Sequence, residues 1–242
     1  MNIPIHFSTG FGDYTLNDVV YQGRKARVLY SGDRLSAQSG IPLDGSDLML
    51  FDYNQRFMEL ARGLHPASVL LVGGGCYTLP RALLHDNPDL LLHIVEPDAQ
   101  MEGIGKRYFG YQPGENTQTF VTGGADYLAA CRQKYDLIFI DAFLHDKVPA
   151  ELQTDTAAAD LRRALKPKGT LAMNIIAAGR GRRAGLLLRQ QETLTTAFDT
   201  VEVYPAANGI SEWIPQNYIV CAGSGHPETY LRYPAITPTP FP

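Results

Sequence analysis

From Ser68 onward, short apolar runs alternate with stretches of helical composition, and this alternation admits few solutions other than a parallel sheet covered on both faces. The runs predict strands over residues 69–72, 91–95, 119–122, 136–140, 170–176, 201–204 and 218–222. Helices are expected over 79–86, 99–108, 126–133, 151–165 and 185–198, the last with Leu186, Leu187, Leu194 and Phe198 spaced for one face. Residues 205–217 are too short for a parallel crossover, so the seventh strand should run antiparallel, as a hairpin with the sixth.

Five crossovers and a hairpin are the order of the class I S-adenosylmethionine methyltransferase fold, an α/β Rossmann-like sheet of seven strands. Residues 1–62 read differently. Polar and apolar residues alternate over 24–30, and turns are marked by Gly12-Asp13, Ser31-Gly32-Asp33 and Asp44-Gly45. A small antiparallel β appendage is expected there, followed by a helix over 51–62 with Phe57, Met58 and Leu60 in the core. Residues 63–232 would then be the nucleotide-binding and catalytic domain. The stretch 233–242 carries four prolines in ten residues and should be extended.

Composition narrows the function. The chain has 242 residues, 45% of them hydrophobic, enough for one α/β core with a small addition. A net charge of −4 offers no basic field for nucleic acid or an anionic membrane, so a small-molecule partner is expected. No apolar run approaches the ~20 residues of a membrane span and no leader pattern opens the chain, which predicts a cytoplasmic protein. Cys76, Cys131 and Cys221 lack metal or disulfide spacing, as do the histidines, so reduced thiols and no metal are expected.

Chemistry concentrates at two strand ends. Residues 69–72 run into Gly73, Gly74 and Gly75, where the backbone can approach a ligand closely. Glu96 ends the next strand, 21 residues after Gly75, placed to accept both ribose hydroxyls of an adenosine. Thr78 stands where a pyrophosphate-binding GxGxxG loop has its third glycine, which favours a sulfonium nucleoside over NAD. Asp141 closes the buried run DLIFIDAF at the ligand-binding edge of the sheet, where it could orient an amine nucleophile or accept its proton.

The chain resembles the spermidine synthases (polyamine aminopropyltransferases). The resemblance rests on Gln38-Ser39-Gly40, Leu43-Asp44-Gly45, Tyr53, the glycines at 73–75, VEPD at 95–98, YDLIFIDAF at 135–143, LKPKGTL at 165–171 and the stretch from Pro205 to Trp213. It implies catalytic roles for Asp141 and Tyr53. It also implies a donor site of Gln38, Gly73, Gly74, Gly75, Cys76, Glu96, Pro97, Gly124 and Ala125, and an acceptor site touching Trp213 and His145. By the same resemblance, the co-substrate would be S-adenosylmethionine or its decarboxylated form and the acceptor a small amine or other small nucleophile, while the β appendage and the proline-rich stretch point to a homodimer.

Three departures from the family pattern bear on the donor amine, the adenine contact and the acceptor amine. Cys76 stands where the family has an aspartate after the glycines, Thr122-Gly123-Gly124 lacks the family's acid near 123, and Ala142-Phe143-Leu144 replaces its second loop acid. Burying two ammonium groups without paired carboxylates is costly. Aminopropyl transfer leads, methyl transfer to a small molecule follows because Cys76 would remove the partner of a free donor amine, and a catalytically silent nucleotide-binding domain is the third reading.

Overall fold

The structure is a computed structural model that describes residues 3–32, 36–46, 49–143, 148–224 and 226–240. Its first element is a meander of four antiparallel strands, β1 (Ile5–Thr9), β2 (Gly12–Tyr21), β3 (Arg24–Ser31) and β4 (Ala37–Pro42), paired in chain order. The first turn lies at Gly10-Phe11, slightly before the expected Gly12-Asp13, because Gly12 already pairs with Thr9. Gln22 and Gly23 both take positive φ, +48° and +79°, which matches the right-handed twist of the strands they join.

Helix α1 (Asp52–Leu64) follows and buries Phe57, Met58 and Leu60 as expected. Seven strands then form one sheet: β5 (Ser68–Val72), β6 (Leu91–Val95), β7 (Thr117–Phe120), β8 (Tyr135–Ile140), β9 (Leu165–Ala177), β10 (Val201–Pro205) and β11 (Gln216–Gly223). Their spatial order is β10-β11-β9-β8-β5-β6-β7, with β11 antiparallel to both neighbours. This is the class I methyltransferase arrangement, with the four-stranded sheet beside it.

Between the strands lie α2 (Thr78–Asp86), α3 (Ala99–Tyr108), α4 (Gly124–Ala130), α5 (Asp155–Ala164) and α6 (Gly185–Thr195). The helix expected over 151–165 divides into a short turn, Ala150–Leu152, and α5, because the Thr154 hydroxyl accepts the Ala157 N–H and starts a new helix. Strand β5 shows why its sequence is apolar without alternation. Val69 and Leu71 enter the core under α1, α2 and α3, while Leu70 and Val72 enter the opposite core with α4 and α5 residues. Leu16 and Leu29 of the meander belong to the first core, so the small sheet is packed onto the large one.

The proline-rich end runs along the β10 edge, where the Ile236 N–H donates to the Val203 carbonyl at 2.7 Å and shields an otherwise open strand edge. No helix among the described residues is long and apolar enough to cross a membrane.

Candidate active site

The crevice above β5 and β8 is shaped by one glycine. Gly73 adopts φ +97°, and a Cβ there would run into the Asp141 carbonyl, so only glycine lets the loops after β5 and β8 lie against each other. The Asp141 N–H also donates to the Val72 carbonyl at 2.8 Å, continuing the ladder to the edge of the site.

Glu96 follows β6 and is 8% exposed. Its Oε2 accepts the N–H groups of Gly74 and Gly75 at 2.9 and 3.1 Å, and its Oε1 accepts that of Asp98 at 3.0 Å. Burial raises its pKa, and these three N–H donors oppose the rise. A carboxylate has about four lone-pair directions, so three are used in shaping the glycine loop and one stays open to a ligand hydroxyl. Asp98 caps α3 through Oδ1, which accepts the Gln100 N–H, while its buried Oδ2 has no hydrogen-bond partner among the described residues. Tyr14 of β2 faces the same corner. Burial, with the nearby Asp98 and Glu96 charges, pushes its hydroxyl up to about 12.

A cavity of about 500 Å³ joins these groups, and its wall includes Gln38, Gly73, Gly74, Gly75, Pro97, Gly124, Ala125 and Asp141. Cys76 is not in that wall. It is fully buried in the first core, where desolvation raises its thiol pKa against a hydrogen bond with the Ser39 side chain. The Cys76 side chain expected at the donor is not on the cavity surface: its N–H donates to Ser39 Oγ at 3.0 Å, and the residue is buried in the first core.

Asp141 faces the cavity but is crowded by protein, and loss of hydration raises its pKa to about 7, against hydrogen bonds from Asn174 and Tyr53 that lower it. Tyr53 is held by ring contacts to Phe51 and Phe57, each at a centroid distance of 6.0 Å. Burial first, then the Asp141 charge, keeps its hydroxyl pKa far above the usual value, so it acts as a donor to that carboxylate.

A second cavity, about 490 Å³, lies on the far side of Tyr53 and shares Gln38, Tyr53 and Phe143 with the first. Gln38 spans both, with its amide nitrogen donating to Ser36 Oγ at 3.0 Å. Trp213, expected at the acceptor site, is 53% exposed on the β10–β11 loop and lines neither cavity, whereas Ile210 and Pro215 of that loop face the second. His145 lies outside the described residues. Sequence reasoning did not single out Tyr14, Asp98 or Asn174 as site residues; VEPD contained a cap signal for Asp98, but Asn174 is recognisable only from strand register.

The fold defines a chain of the class I methyltransferase type, with a crevice at the carboxyl edge of its parallel strands. It is spermidine-synthase-like in sequence: 112 residues, 45% of the chain, are 32% identical to the polyamine aminopropyltransferase of Vibrio vulnificus. The match spans 38% of that relative, less than two thirds of its length. A probable spermidine synthase from Corynebacterium glutamicum superposes with a TM-score of 0.78 at 17% identity, covering 92% of this chain and 81% of its own. Human methyltransferase-like protein 13, solved in complex with SAH, superposes at 0.59 with 22% identity, covering 74% of this chain and 85% of its own. No family model matches the chain.

Proposed function

We propose that this chain is a transferase that holds an adenosyl sulfonium donor in the first cavity and passes its aminopropyl group to an amine held in the second. The observation that carries this reading is the meeting of the two cavities at Tyr53, beside Asp141. Glu96 and Tyr14 offer polar groups to the ribose, and Gly123, Gly124 and Ala125 form the wall for the base.

In the transfer step, the lone pair of the neutral acceptor nitrogen attacks the donor carbon bound to sulfur. The C–S bond breaks and its electron pair returns to sulfur, leaving neutral methylthioadenosine. The nitrogen then gives up a proton, and a carboxylate with a pKa of about 7 is far better matched to take it than one with the ordinary value. Alignment across the junction and exclusion of water supply the remaining acceleration.

Methyl transfer is the second reading, because Gln38, a neutral carboxamide with both donors and an acceptor, suits a donor ammonium or a donor carboxylate. A thermal-shift comparison of S-adenosylmethionine, its decarboxylated form, methylthioadenosine and NAD tests both readings. A ligand at 100 times its Kd adds about 2.7 kcal/mol of apparent stability. Stabilisation by the decarboxylated donor and methylthioadenosine supports aminopropyl transfer, preference for the carboxylated donor supports methyl transfer, and stabilisation by NAD alone defeats both.

A further inference from the structure

We propose that the second cavity selects an amine carrying one positive charge on an apolar body, an alkyl or aryl-alkyl monoamine, over a diamine of equal length. This rests on reading that cavity as the acceptor compartment. Its chemistry is sharply uneven. Asp52 is the only charged side chain among the described residues that line it, and it occupies the first turn of α1, where the helix N-terminus already offsets its charge.

The inner wall is made of carboxamides whose polarity is already directed. Asn217 Nδ2 donates to Asn174 Oδ1 at 2.9 Å, and Asn174 Nδ2 donates to Asp141 Oδ1 at 2.9 Å. The chain of donors ends on the Asp141 carboxylate at the junction, so a single ammonium arriving there finds a partner. The outer wall is different. Ile176 and Ile210 are 36% and 44% exposed, and they present apolar surface that a hydrocarbon or aromatic body would cover. A second ammonium reaching that wall would lose hydration with no buried carboxylate among the described lining residues to receive it.

The test is calorimetric titration of pentylamine, phenethylamine and cadaverine into the protein saturated with methylthioadenosine. We expect both monoamines to bind at least ~10-fold more tightly than cadaverine, the discrimination expected when a buried charge has no partner. Ile210→Asp, which adds a carboxylate to the outer wall, should move the preference toward cadaverine by a similar factor. Cadaverine binding as tightly as pentylamine to the natural protein overturns the proposal, as does the absence of binding by every amine. Failure of methylthioadenosine to bind strikes the donor reading instead, and the amine series titrated into the free protein still decides the acceptor preference.

Discussion

Asn174 donates its side-chain amide to Asp141 Oδ1 at 2.9 Å, and the two residues meet because β8 and β9 are parallel with Ile140 opposite Met173. Each residue is one step beyond that pair. The register thus supplies a hydrogen bond that favours the ionised form of Asp141, while burial favours the neutral form and prevails.

Replacing Asn174→Ala should therefore raise the Asp141 pKa above about 7 and move the acidic limb of activity to higher pH. Stability carries the same signature. A carboxyl that ionises near 3.9 when unfolded and near 7 when folded binds more protons in the native state, so folding stability falls as pH rises through that window. The slope is at most about 1.4 kcal/mol per pH unit. Asp141→Asn should flatten it, as measured by denaturant unfolding at several pH values. A slope that is identical in the two proteins would contradict the assigned environment of Asp141.

Glu96 holds three backbone N–H groups, so its replacement acts on the loop as well as on a ligand. Glu96→Ala should weaken methylthioadenosine binding at least ~10-fold, the loss of one charge-assisted hydrogen bond or more. It should also destabilise the fold by roughly 1–3 kcal/mol, because buried donors lose their acceptor. Calorimetry paired with thermal melting separates the two losses. Unchanged affinity in a folded variant removes the ribose assignment.

A third expectation concerns Cys76, which occupies core space below the glycine loop. Cys76→Asp should lower stability by several kcal/mol, the cost of a carboxyl placed among Tyr77, Leu79 and their neighbours, rather than exchange one donor for another. Cys76→Ala should be milder and leave nucleotide affinity within a few-fold. If the aspartate variant instead melts like the natural protein and gains affinity for the decarboxylated donor, the side chain reaches the cavity after all.

Those substitutions mark where the sequence was legible and where it was not. The central strands of the large sheet were readable because residues such as Val69, Leu70 and Leu71 are buried on both faces, leaving apolar runs too short for helices, whereas β7 is the polar edge run Thr117–Phe120 and begins two residues before the expected 119–122. Gly73, Glu96 and Asp141 were readable because they sit at strand ends, where chain order alone determines which edge they occupy. The burial of Cys76 was not readable, since no local pattern in the glycine turn announces which way a side chain there points. Asn174 was hidden for another reason, since a single polar residue in an apolar strand gains its role only from the partner set beside it. Trp213 drew attention by its type, yet its neighbours Ile210 and Pro215 face the second cavity.

The last prediction concerns Ser39, where the small sheet touches the chemistry. Its Oγ accepts the Cys76 N–H at 3.0 Å, and Ser39 is only 5% exposed, so water does not readily replace it. A Cβ at Gly75 would meet that same oxygen at 2.9 Å, which shows how closely β4 presses on the glycine loop. Truncating the meander is a poor test of this contact, because Leu16 and Leu29 are part of the main core and their removal would expose it. Ser39→Ala is the cleaner change. It leaves a buried N–H without an acceptor at a cost of about 1–3 kcal/mol, and the loop should relax away from its ligand-ready shape. We therefore expect a lower melting temperature together with a several-fold loss of methylthioadenosine affinity. Thr195→Ala, which removes a hydroxyl at the end of α6 that bonds the Glu192 carbonyl and lies outside the cavity wall, is the control and should leave that affinity unchanged. A Ser39→Ala variant that loses stability but binds methylthioadenosine normally would show that the small sheet supports the fold without setting the geometry of the site.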